Sequence, residues 1–180
     1  MGCQSSNRLR IVEPIAIVQN TTLAKAEDYV IQPSNFVSLK SHSLQDDYSV
    51  NGKLNTGGVG TIRRVVHKVT GQMRALKTIR KSMITQEMRR KAKFFNEVDI
   101  LKDADHPNII KLYDIYEDKM SFYLVTELIS GGELFDFITS RRQQSEEVVA
   151  HFMRQVLSGV NYCHKNNIIH SNLQLSLIHI

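Results

Sequence analysis

The feature that most constrains the fold is a change of periodicity after residue 47. Before it, the chain is polar and irregular, and it reads as a flexible tail over residues 1–47. From Tyr48 onward, "YSVNGKLN", "GTIRRVVHKV" and "MRALKTIR" are rich in β-branched residues and separated by glycine-bearing turns, which predicts three successive strands. Residues 86–102 switch to helical spacing, with Phe94, Phe95, Val98 and Leu101 three and four residues apart. "IIKLYDIYE" and "FYLVTEL" return to strand character, and "SGGELFDFI" restarts the chain as a short helix. Ser145 is a helix cap with Glu146 and Glu147 in the first turn, ahead of a broad stripe from Val148 to Val160. Three strands, a helix, two strands and then helices describe an α+β lobe followed by the start of a helical one.

Composition excludes several classes. With 42% hydrophobic and 23% charged residues the chain is globular, and Cys3 and Cys163 make neither a disulfide framework nor a zinc pattern. No apolar run is long enough to span a bilayer, and no signal peptide opens the chain, so the sequon at Asn20 reads as a chance match. The net charge of +5 gathers between Arg74 and Lys93, but no aromatic residues interleave with it as a base-stacking groove needs. No nucleic acid partner is expected, and the protein reads as cytoplasmic.

The opening "MGCQSS" qualifies that location. Gly2 behind the initiator Met, with Ser6 in the favoured position, fits N-myristoylation, and Cys3 beside it fits S-palmitoylation. One myristoyl chain binds membranes only marginally, so Cys3 has to supply the second signal. Membrane association through Gly2 and Cys3 is the expectation.

The chemistry is written in three places. "LNTGGVGTI" is a glycine-rich turn between strands, where backbone N–H groups can approach phosphate oxygens. Lys77, on the next strand, can neutralise those phosphates. Glu97, on the helix that follows, shares a face with Leu101 and can hold the ammonium in place.

Taken together these residues resemble the protein kinase family, whose pattern is a Gly-rich loop, a strand lysine, a helix glutamate, a hinge and a catalytic loop. Gly57, Gly58 and Gly60 match the loop, Ala75-Leu76-Lys77 the strand, and "YLVTELISGGELFDFI" the hinge of calcium- and calmodulin-regulated kinases. With "MGC" in front, the nearest subgroup is the calcium-dependent kinases. The resemblance implies a five-stranded antiparallel N-lobe with one helix over residues 48–128. It implies a hinge and the first helices of an incomplete C-lobe over residues 129–174.

It implies ATP as cofactor, with Mg²⁺, and protein Ser/Thr hydroxyls as substrate. Leu54, Ile62 and Ala75 would pack on adenine, with Thr126 as gatekeeper. The backbone of Glu127 and Ile129 would bond its edge, and Glu133 would reach the ribose. Leu101, Leu112 and His170 would join a hydrophobic spine.

The catalytic loop departs from the family. His-Arg-Asp-Leu-Lys becomes His170-Ser171-Asn172-Leu173-Gln174, so an amide at Asn172 stands where the family has its base and Gln174 where it has a lysine. The metal-binding asparagine and the later Asp-Phe-Gly find no match, and no metal site is assigned. Residues 175–180, "LSLIHI", read like translated transposase adaptor, and the expectation is that they are not native. Three functions compete: a Ser/Thr kinase, a catalytically silent regulatory or scaffolding pseudokinase at a membrane, and a truncated product without activity. No EF-hand loop occurs, so calcium binding by these residues is not expected.

Overall fold

The computed structural model describes residues 10–11, 16–17, 37, 39–57, 60–84, 88–140, 143–171 and 173–180, which form two compact units. One unit takes residues 27–104 and 111–128; the other takes residues 1–26, 105–110 and 129–180.

In chain order the elements begin with three two-residue strands: β1 (Arg10–Ile11), β2 (Ala16–Ile17) and β3 (Leu39–Lys40). Next come α1 (Leu44–Asp47), β4 (Tyr48–Gly57), β5 (Gly60–His67), β6 (Met73–Arg80), α2 (Lys81–Ile84) and α3 (Met88–Asp103). β7 (Leu112–Glu117), β8 (Ser121–Glu127), α4 (Leu134–Thr139) and α5 (Glu146–Lys165) follow. β9 (Ile168–Ile169), a 3-10 turn (Leu175–Leu177) and β10 (Ile178–His179) close the order.

The first unit is built on a sheet in the order β3-β7-β8-β6-β5-β4. Five of its strands are the antiparallel set read from the sequence; β3 adds a sixth, parallel to β7, pairing Leu39 with Ile115 and Lys40 with Tyr116. Two elements that precede Tyr48, β3 and α1, are also built onto the sheet. They are held because Leu44 is buried against Tyr48, Val65, Leu76, Tyr116 and Val125 on one sheet face. The other face buries Ile79, Leu112, Ile115, Phe122 and Leu124 under Val98 of α3, with Leu101 packed alongside. Strand alternation produces this division, since Ile115 and Tyr116, or Leu124 and Val125, point to opposite faces.

Burying two tyrosines demands partners for their hydroxyls. Tyr48 donates to Asp114 at 2.6 Å and accepts from Arg74, whose guanidinium lies 3.8 Å from the centroid of the Tyr113 ring. Tyr116 donates to Asp47 at 2.5 Å. Burial foremost, then the neighbouring carboxylates, pushes both phenols well above the usual tyrosine range.

In the second unit, Leu134, Phe152, Val156 and Ile178 form the core, with Phe137 edge-on to Phe152 at 5.2 Å. Ser145 caps α5 by accepting the Val148 N–H at 3.3 Å. The loop after α3 is tied to α5 through His106 to Ser158 and through the buried Asn108, whose amide donates to Gln155 at 3.0 Å. Of the predicted stripe on α5, Phe152 and Val156 are buried, whereas Val149, Met153 and Leu157 stay exposed. No helix among the described residues is long and apolar enough to cross a membrane.

Candidate nucleotide-binding wall and catalytic segment

The sheet register gathers several of the predicted residues. Ile62 lies opposite Lys77, Lys77 opposite Leu124, and Ala75 opposite Thr126. Ile79 and Leu124 point to the α3 face, so Ile62, Ala75, Lys77 and Thr126 share that face by the two-residue period. Directly opposed residues have Cβ atoms about 5 Å apart. A small residue, a hydroxyl, a β-branched residue and a cation thus form one continuous patch. Glu97 precedes Val98 on α3 and shares a helix face with Leu101, so it belongs to the helix that covers this same side of the sheet.

The glycine turn is framed by the pair Gly57 and Gly60. A Cβ on Gly60 would overlap the carbonyl oxygen of Thr78, so only glycine lets β5 start this close to β6. Gly58 lies outside the described residues. Leu54 falls in an irregular stretch, between the pairs Lys53–Arg63 and Asn55–Ile62, and is 43% exposed. The ladder gives it no opposite residue.

Glu127 is held more firmly than its sequence suggested. Its N–H donates to the Lys111 carbonyl at 3.0 Å, and its carboxylate accepts the Lys111 N–H at 2.9 Å. Its carbonyl accepts the Thr126 hydroxyl at 3.2 Å. Nothing in the sequence marked Lys111 as a partner, because it contributes only its backbone N–H and carbonyl to the clamp.

In the second unit, Glu133 is the N-cap residue of α4 and pairs with His179 in an isolated bridge. Ile129 is half-buried in the connecting segment. His170 is buried, and both of its ring nitrogens are without a hydrogen-bond partner among the described residues. Ser171 has a φ of 48°, a backbone state that costs a non-glycine residue energy and concentrates at functional segments. Asn172 lies outside the described residues, and Gln174 is exposed. Leu101 and Leu112 meet in the first unit's core, while His170 belongs to the second unit. Gly2 and Cys3 lie outside the described residues. Among the described residues, no three His, Cys, Asp or Glu side chains gather in a metal-holding group.

A family model described as a protein kinase domain matches residues 48–178. NUAK family SNF1-like kinase 1 of Mus musculus is 36% identical over 76% of this chain and 21% of its own length. Calcium-dependent protein kinase 5 of Plasmodium falciparum (isolate 3D7) is 42% identical over 77% of this chain and 24% of its own length. The protein of that name from Plasmodium berghei (strain Anka) is 45% identical over 68% of this chain and 21% of its length. The chain therefore spans between a fifth and a quarter of the curated relatives it matches.

Proposed function

The chain belongs to the protein kinase family, on the serine/threonine side that includes the calcium-dependent kinases, and we propose that its sheet unit binds ATP. The observation that carries this reading is the shared face of Ile62, Ala75, Lys77 and Thr126 beside the Gly57–Gly60 turn. These residues fit a nucleotide. Ala75 leaves room for a flat ring, and the Lys77 ammonium suits phosphate. Mg²⁺ is implied by the family, but no cluster among the described residues fits it. The family's reaction moves the γ-phosphoryl group of ATP to a protein Ser or Thr oxygen, with ADP leaving and the hydroxyl proton passing to a base.

ATP should raise the melting temperature of the purified chain in a dose-dependent way. Lys77→Met should weaken or abolish the shift without lowering the melting temperature in the absence of nucleotide. No ATP shift in the parent chain would sink the reading.

A second reading is favoured by the catalytic segment itself: nucleotide binding with little or no turnover. The Asn172 amide cannot take the hydroxyl proton, and general-base catalysis is worth about 10²–10⁴-fold. Asn172→Asp combined with Gln174→Lys should then raise phosphate transfer to a peptide, whereas robust transfer by the parent chain would exclude this reading. The calcium dependence named in the Plasmodium relatives is proposed only for a longer product, because no EF-hand loop occurs in these residues. Membrane attachment through Gly2 and Cys3 rests on the "MGC" motif.

A further inference from the structure

The catalytic segment is flanked by two short strands, and both pair with the same amino-terminal arm. β1 runs antiparallel to β10, with Arg10 opposite His179 and Ile11 opposite Ile178. β2 runs antiparallel to β9, with Ala16 opposite Ile169 and Ile17 opposite Ile168. The arm and both strands lie in one compact unit.

Counting the chain between the ladders shows how the two sides are matched. Five residue steps separate Ile11 from Ala16, a reach of at most about 18 Å. Nine steps separate Ile169 from Ile178, so the catalytic segment has to fold back to bring its two ends into register. The left-handed Ser171 and the 3-10 turn, closed by the Leu177 N–H to the Gln174 carbonyl at 3.0 Å, shorten it. Pro14, which has no N–H to give a ladder, falls in sequence between the two paired segments.

The far side of β10 is occupied as well. Ile180 accepts the Gly131 N–H at 2.8 Å and donates to the Gly132 carbonyl at 3.0 Å, and His179 bridges to Glu133. A Cβ on Gly131 would overlap the Ile180 carbonyl oxygen, so the close approach requires glycine there. Ile178 is buried beside Leu134 and Phe152. β10 lies within residues 175–180, which the sequence reading expects not to be native; in this chain it is an inner strand, with the arm on one edge and the predicted ribose-contact segment on the other.

We propose that the backbone edges of Ile168–Ile169 and Ile178–His179 form a strand-accepting surface for an extended peptide. Its occupant in this chain is the amino-terminal arm, through Arg10–Ile11 and Ala16–Ile17. Recognition is main-chain hydrogen bonding, the mode in which an extended peptide adds to an open sheet edge. An open edge otherwise invites pairing with other chains, and the arm covers it. The arm thereby fixes the distance between the two ends of the catalytic segment.

Register makes the proposal testable in the intact chain. In a Cys3→Ser background, Ala16→Cys with Ile169→Cys should form a disulfide under mild oxidation, because opposed strand residues fall within bonding range. Ala16→Cys with Ile168→Cys should not, since a one-residue slip turns the side chain to the other face. Equal trapping of both pairs, or of neither, overturns the register. Hydrogen exchange supplies a readout without cysteines. Ile11→Pro with Ile17→Pro should speed exchange at residues 168–169 and 178–179 about tenfold or more. A synthetic peptide copying residues 8–19 should slow it again, and a scrambled peptide should not. Unchanged exchange in the proline variant overturns the proposal. Neither measurement depends on ATP, so failure of the nucleotide reading would leave these results standing.

Discussion

At the scale of single residues, the first unit depends on hydroxyl-to-carboxylate bonds between distant parts of the chain. The Tyr116 hydroxyl, and next His42, holds the Asp47 carboxyl below the usual carboxylate range, with burial acting weakly the other way. A carboxyl depressed in the folded state contributes stability that is present above its unfolded pKa of about 4. That contribution is lost as pH falls through the lowered folded value. Removing the Tyr116 hydroxyl brings Asp47 back towards its ordinary behaviour. The stability gap between parent and Tyr116→Phe should therefore be full above about pH 5 and shrink as the solution is made more acidic. Urea unfolding at a series of pH values measures it; a gap that stays constant or widens in acid would contradict the role given to this bond. Nothing in the sequence announced the pair, because its members are 69 positions apart and each is unremarkable alone.

At the scale of elements, what could be read in advance was what repeats. The long strands from Tyr48, the sixteen-residue α3 and the twenty-residue α5 were legible because several periods of apolar spacing fall within each. β3 and α1 have two and four residues, too few to show any period, and β3 is specified only by a parallel partner far along the chain. The candidate site divides the same way. Ile62, Ala75, Lys77 and Thr126 could be placed because strand alternation fixes the face of each. The Lys111 clamp on Glu127 uses a backbone N–H and carbonyl that any residue at 111 but proline would offer, and the strained Ser171 is a backbone state its residue type does not announce. The added segment has a measurable consequence. Leu44 is 4% exposed and belongs to the tyrosine-rich core. Leu44→Ala should cost about 2–4 kcal/mol in chemical unfolding, the loss expected of a core leucine. A cost below about 0.5 kcal/mol, typical of a surface change, would return residues 37–47 to the tail.

At the scale of the whole molecule, the arm joins two proposals that concern different ends of it. Gly2 and Cys3 are its acylation candidates, and Arg10 begins its pairing with β10 inside the second unit. With the ladders formed, only seven residue steps separate Cys3 from Arg10, a reach of at most about 25 Å. The membrane would then hold the catalytic segment close to its surface, rather than at the end of a tail of some 45 residues. A single myristoyl chain leaves a rapidly exchanging pool, and a second acyl chain supplies the added affinity that stable anchoring needs. Gly2→Ala should therefore move the protein to the soluble fraction, since it removes the first lipid and the membrane sampling that precedes the second. Cys3→Ser should divide it between fractions. Ile11→Pro with Ile17→Pro should leave the membrane fraction unchanged while lengthening the tether, because the lipids anchor the chain and the ladders only set its reach. Fractionation of cells able to acylate the chain measures all four proteins side by side. A wholly soluble parent chain would remove the anchor, whereas a membrane fraction that fell in the proline variant would show that the ladders themselves contribute to attachment.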